Sequence, residues 1–250
     1  MDEAVVVLTG ATGGFGRVLG TALADAGARL VLTGRSLPDA PSSAVTVPAD
    51  LSDPAGPDRI VAAAVEAYGR IDILINNAGV GGPIGPFWET DDQEWWRALT
   101  VNLHGTARMC HAVLPIMIRG GGRVINVVSA AGRGRWPHAS AYSVSKAAVI
   151  KLGENLAAEL RPYAVTVVSY HPGLLDTGMT KAHLDRGDTG EPWTDRIGHW
   201  LRAERAAGRF TSIERAAAGV VALASGAGDL RSGDYLTPDD LDVPESRRER

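Results

Sequence analysis

Tyr142 and Lys146 stand four residues apart in Ala141-Tyr142-Ser143-Val144-Ser145-Lys146. On a helix, positions i and i+4 share one face, so the spacing predicts an ammonium beside a phenol. A phenol with an ordinary pKa of about 10 is a poor proton shuttle at neutral pH, and a nearby cation favours its anion. Bringing the value to about 7 takes roughly 4 kcal/mol, which one close, poorly solvated ammonium and a cationic cofactor can supply. With five tyrosines and three lysines in the chain, chance gives about 0.06 such pairs. The bland alternative is a helix-surface pair worth a few tenths of a kcal/mol. Tyr142 is a candidate general acid/base.

A second cluster lies near the start. Thr9-Gly10-Ala11-Thr12-Gly13-Gly14-Phe15-Gly16 joins an apolar run to a helical pattern, with spacing T-G-x-x-x-G-x-G. Glycines let a backbone approach a pyrophosphate, and a helix N-terminus offers it free N–H groups. At a first strand-to-helix turn this points to a dinucleotide held by Gly10, Thr12, Gly14, Phe15 and Gly16. Sites that prefer the non-phosphorylated cofactor place an acid at the end of the next strand. Here that segment reads Leu32-Thr33-Gly34-Arg35, without an acid. Arg35 can pair with a 2′-phosphate and stack on adenine, so the expected cofactor is NADP(H) rather than NAD(H).

Stepping outward, short β-branched runs alternate with longer helical patterns, which predicts βαβ units. Strands are expected at Ala4–Thr9, Arg29–Thr33, Ala44–Val47, Asp72–Ile75, Arg123–Val128, Val165–Tyr170 and near Tyr235-Leu236. Phe15, Val18, Leu19, Ala22, Leu23 and Ala26 form a helical stripe closed by Gly27. Further helices are expected at Ile60–Tyr68, Gln93–Met117, Ser140–Leu160 and Ser212–Ser225, the long second one opened by an Asp91/Glu94 capping box. The two-proline segment Ser36–Ser43 reads as a loop. The fold class is therefore α/β: a single Rossmann-fold domain over residues 1–250, a doubly wound parallel sheet of about seven strands with helices on both faces. Residues 245–250 read as a charged, disordered tail.

After Thr177 the pattern breaks into an insertion, about residues 178–209. There Trp193, Ile197, Trp200 and Leu201 fall at i, i+4, i+7 and i+8, the stripe of a short lid with an aromatic face. That face fits an apolar, ring-containing substrate, or else packing against the body. Arg133 and Arg135, between Ser129 and Tyr142, could meet an acidic substrate but read first as solvated loop residues, as does His138.

Composition sets the class. With 45% hydrophobic and 22% charged residues the chain is of ordinary globular type, and a net charge of −4 does not suit a general nucleic-acid binder. No apolar run is long enough to span a bilayer. The single Cys110, in an apolar helical pattern, and a start without a basic leader fit a cytoplasmic protein. The six histidines show no metal-site spacing, and no G-x-S-x-G occurs.

Taken in chain order over roughly residues 4 to 240, these features resemble the short-chain dehydrogenase/reductase family. The resemblance implies that Asp50 and Leu51 contact the adenine. Asn76, Ala78 and Gly79, within Asn76-Asn77-Ala78-Gly79, would steady the sheet and line the cofactor. Pro172, Gly173, Leu175 and Thr177 would hold the nicotinamide end. It implies a catalytic tetrad of Asn102, Ser129, Tyr142 and Lys146, with Asn102 carrying a relay water and Lys146 gripping the nicotinamide ribose. The implied reaction interconverts a ketone and a secondary alcohol by hydride transfer. A homodimer or homotetramer is implied too, with Gln93–Met117 and Ser140–Leu160 as interface. The C-terminal Gly233–Asp240 departs from the family's common V-D-G-G ending, which leaves the tetramer contact open. The alternatives are an NAD(H)-preferring alcohol dehydrogenase, a redox-neutral enzyme with tightly held cofactor, and a non-catalytic dinucleotide sensor. Retention of both Tyr142 and Lys146 weighs against the last.

Overall fold

Val5–Thr9 has no polar alternation, and all five residues are buried, as in a strand covered on both faces. The computed structural model, which describes residues 1–36, 40–241 and 243, builds outward from this strand. Among the described residues seven strands form one parallel sheet. They are β1 (Val5–Thr9), β2 (Arg29–Gly34), β3 (Val45–Pro48), β4 (Ile73–Asn76), β5 (Gly122–Val127), β6 (Val165–Tyr170) and β7 (Tyr235–Leu236). Their order is β3-β2-β1-β4-β5-β6-β7. The chain runs from β1 to β2 on one side and returns to β4 on the other, so the order reverses between β1 and β4. In such sheets a crevice opens beyond the carboxyl ends at that switch point.

Side-chain alternation divides the core. Val6 and Leu8 of β1 meet α1 (Gly14–Asp25) and α8 (Ile213–Ala224) through Leu19, Leu23, Val220 and Leu223. Val7 faces the other way, toward α2 (Gly56–Tyr68) and a later helix, through Ile60, Met109 and Val113. Each fully buried aliphatic side chain contributes about 1.5–3 kcal/mol relative to exposure. Cys110 belongs to this second layer, and burial pushes its thiol up to about 12. It is a core residue.

The expected long helix over Gln93–Met117 is present but divided. It comprises α3 (Asp92–Leu99), a π-turn at Thr100–His104, and α4 (Gly105–Met117). Asp91 caps it by accepting the Glu94 N–H at 2.8 Å. The reciprocal half of the capping box is missing, because the Glu94 carboxylate turns to Arg97. Helix α5 (Ser140–Glu159) packs beside α3 and carries Val149 and Ile150 against Val128. The insertion holds two helices, α6 (Gly178–Arg186) and α7 (Pro192–Ala206).

Between β2 and β3, the described residues of the expected loop are non-helical, while Leu37–Asp39 lie outside the described residues. So do residues 245–250, the expected tail. No helix among the described residues is long and apolar enough to cross a membrane.

Candidate active site

A cleft of about 440 Å³ crosses the carboxyl edge of the sheet. Its first wall is the β1–α1 turn. Gly10 has φ +69°, and a Cβ there would lie 2.7 Å from the Ala78 Cα; one on Gly16 would lie 2.0 Å from the Gly10 oxygen. Only glycine lets these backbones touch. Gly13, the residue before α1, provides no side-chain cap, so the first-turn N–H groups face the cleft free to meet an anion. Thr12, Gly14 and Phe15 line the same wall.

The Asn76-Asn77-Ala78-Gly79 segment ties this wall to β4. The Asn77 amide donates to the Thr9 and Gly10 carbonyls at 3.0 and 3.1 Å, and the Asn77 and Ala78 N–H groups donate to Thr9 Oγ1. Asn77, Ala78 and Gly79 line the cleft, whereas Asn76 does not. Asn76 is buried in the sheet, where it donates to Asn126 Oδ1 at 2.9 Å across the β4–β5 pair. The sequence expectation that Asn76 lines a cofactor is corrected: strand alternation turns it inward and presents Asn77 instead.

At the far end, β2 delivers Gly34 and exposed Arg35 to the cleft rim. A Cβ on Gly34 would lie 2.3 Å from Thr12 Cγ2, so any side chain there would require Thr12 to turn. Asp50 and Leu51 line this end as expected. The Asp50 carboxylate accepts from the Ser52 N–H and Oγ at 2.8 and 2.7 Å. Those bonds, with smaller help from the Arg35 and Arg97 charges, hold it below the usual carboxylate range. Arg97, which the sequence reading did not single out, lines the cleft as well.

The opposite end gathers Ser129, Tyr142 and Lys146. Ser129 follows β5 and accepts the Ala131 N–H at 3.2 Å, and its hydroxyl meets the Tyr142 phenol. Lys146, only 5% exposed, donates to the Val127 carbonyl at 2.8 Å. That is its one protein acceptor among the described residues, so two of its three N–H bonds remain available. Burial holds its ammonium down at about 8. The Nζ lies 5.8 Å from the Tyr142 ring centroid, on the same helix face as the spacing predicted. The phenol itself is shifted upward, because burial outweighs the lowering contact with Ser129. The expected drop toward neutrality is therefore absent from the protein alone.

Asn102 sits in the π-turn and is 1% exposed. Its Oδ1 accepts the Val80 N–H at 2.8 Å, and its Nδ2 donates to the Val80 carbonyl and Ser145 Oγ, both at 2.9 Å. Its side-chain amide fixes the loop after β4 against α5. Pro172, Gly173, Leu175 and Thr177, after β6, all line the cleft. Ile197, Trp200 and Leu201 of α7 close it from above, together with Trp136, which sequence reading did not flag. Trp193 faces away from it, stacked on His138 at 3.8 Å.

This arrangement has counterparts. A sequence model of the short chain dehydrogenases matches residues 4–187. The chain belongs to that family. This short-chain dehydrogenase is 36% identical over 234 residues to the short chain dehydrogenase citE of Monascus ruber, covering 83% of this chain and 79% of that one. Its fold superimposes on a variant of actinorhodin polyketide ketoreductase with NADPH, at a TM-score of 0.84 and 28% identity, covering 95% and 97% of the two chains. NAD+-bound xylitol dehydrogenase gives 0.85 and 26%, covering 94% and 97%. As a member of the family, the short-chain dehydrogenase is an oxidoreductase of CH–OH and C=O groups that binds a nicotinamide dinucleotide.

Proposed function

We propose that this protein is an NADP(H)-dependent carbonyl reductase that interconverts a ketone and a secondary alcohol, with Tyr142 as general acid/base. One observation carries the reading: Ser129, Tyr142 and Lys146 converge at one end of a cleft whose other end offers Arg35 and, at Gly34, no acid.

The cleft fits the cofactor. Its glycine wall leaves room for the pyrophosphate beside the uncapped start of α1, and Lys146 keeps two unfilled donors where ribose hydroxyls would lie. When bound, the reduced nicotinamide supplies the hydride that reaches the carbonyl carbon. Tyr142 donates its phenolic proton to the carbonyl oxygen, so hydride and proton together make the alcohol. Ser129, whose hydroxyl meets the phenol in the protein alone, turns its hydrogen to the same oxygen and stabilises the negative charge that develops there. Lys146 holds a positive charge below the phenol and favours its anion after the transfer. Asn102 positions: through Val80 it fixes the loop that carries Gly79, and through Ser145 it fixes α5.

Cofactor choice rests on Arg35, since the solved relatives hold NADPH in one case and NAD+ in the other. Arg35→Ala is expected to raise the NADPH KM by about 10- to 100-fold and leave that for NADH unchanged, as for loss of one charge-assisted contact worth about 1.5–3 kcal/mol. An unchanged NADPH value removes the assignment. The reaction is tested by following nicotinamide absorbance with a panel of ketones, quinones and cyclic diketones. Product formed without cofactor consumption would favour a redox-neutral reaction instead.

Residues 1–250 are read as one domain, with α6 and α7 as the substrate lid. The lid's Ile197, Trp200 and Leu201 present an apolar face to the cleft, which suits an apolar, ring-containing substrate. A cytoplasmic homodimer or homotetramer is proposed as well. Trp96 on α3 and Val144 on α5 stand exposed on the helices expected at the interface. Sedimentation at a multiple of 26.2 kDa tests it.

A further inference from the structure

Beside the substrate end of the cleft lies a second, more open hollow of about 180 Å³. The two share three wall residues: Trp136 from the loop before α5, and Ile197 and Trp200 from α7. Trp136 and Trp200 meet edge to face, centroids 4.9 Å apart and planes at 85°, a favoured aromatic geometry. On the far side Trp193 stacks on His138 at 19°, which pins α7 to the same loop without touching the cleft. The two half-buried indoles therefore stand between the cleft, which Tyr142 lines, and the outer hollow, which it does not.

The charge distribution bears on what ends against that wall. Of the cleft's charged residues, Arg35, Asp50 and Arg97 cluster at the adenine end, where both arginines act on Asp50. Lys146 is tied to Val127 beneath the phenol. Arg133 packs over the Tyr235 ring at 4.7 Å, and neither it nor Arg135 lines the cleft. His171 and His183 do line it, and burial holds both below the ordinary imidazole range, so neither adds a cation at pH 7. A carboxylate or sulfonate brought here would lose its water with no counter-charge, at a cost of several kcal/mol. The second cavity does carry one cation at its rim, the exposed Arg196.

We infer that the Trp136–Trp200 pair is a partition that limits substrate length, and that the substrate is an uncharged ketone whose apolar ring ends against the two indoles. This rests on the carbonyl-reductase reading and adds to it the determinant of size and charge. Removing one indole joins the two cavities and makes the space beyond available to a larger ring system.

The test compares a monocyclic ketone (cyclohexanone), a fused bicyclic one (decalone) and a cyclohexanone bearing a carboxylate. Each is measured by turnover with NADPH and by calorimetric binding to the cofactor-loaded protein. Wild type should discriminate against the bicyclic and the charged ketone. In Trp200→Ala the bicyclic-to-monocyclic ratio of kcat/KM should rise at least tenfold, with NADPH affinity unchanged. Trp136→Ala removes the same wall from the opposite element and stands in if Trp200→Ala does not fold. An unchanged ratio in both variants, or a carboxylate preferred by wild type, overturns the proposal. Turnover and binding separate the two levels of the argument. Absent turnover with the expected shift in binding would remove the reductase reading and keep the partition. Normal wild-type turnover with no shift in either variant would do the reverse.

Discussion

Replacing Tyr142 by Phe should lower the rate of ketone reduction by about 10²–10⁴-fold, the usual contribution of a positioned general acid. NADPH affinity should stay within a few-fold. The substitution keeps the ring in its half-buried place and deletes only the oxygen, whose one side-chain partner is Ser129. Because that contact is small, thermal stability should hardly move, and kcat should fall without a matching rise in KM. The upward shift of the phenol makes the point sharper. Before cofactor binds, Tyr142 holds its proton firmly, which is the state required to donate in the reductive direction. Substantial turnover in Tyr142→Phe would remove the residue from its role.

Lys146→Met should have two separable effects. Turnover should fall by about 10²-fold or more, because both the cation beneath the phenol and the unfilled donors are lost. Stability should change in a pH-dependent way. Burial holds the folded-state pKa at about 8 against an ordinary 10.5, so the folded protein binds this proton less tightly than the unfolded chain. The cost of the buried charge is therefore present in full below about pH 8 and disappears as pH rises through 10.5. That gap corresponds to about 3 kcal/mol. The stability of Lys146→Met relative to wild type should thus be greater at pH 7 than at pH 10.5 by about that amount, read from urea unfolding at both values. A difference independent of pH would mean that Lys146 is not buried as a cation.

Much of this was legible in the residues. The β1 strand and the glycine turn were readable because a run of buried β-branched residues and a turn that only glycine can make each have one common solution. The α7 stripe was readable in part: Ile197, Trp200 and Leu201 keep helical spacing and line the cleft, whereas Trp193 of the same stripe does not. What failed depended on tertiary contacts. Asn76 and Asn77 are the same residue type side by side, and only the pairing of β4 with β1 and β5 decides which turns inward. The π-turn arises where the Asn102 amide bridges Val80 and Ser145, a contact that helical periodicity does not encode. In the protein alone burial raises the phenol pKa, a contribution that the Tyr-x-x-x-Lys spacing does not encode. Trp136 and Trp200 lie far apart in the chain, and no local pattern encodes their edge-to-face contact between the loop before α5 and α7.

The whole account requires that a hydrogen leave the cofactor's nicotinamide and arrive on carbon beside the Tyr142 phenol. Reduction with NADPH deuterated at the transferring position of C4 measures this directly. One deuterium per turnover on the carbinol carbon of the product is the predicted result. Product free of the label, with deuterium kept on the cofactor or lost to water, would contradict it.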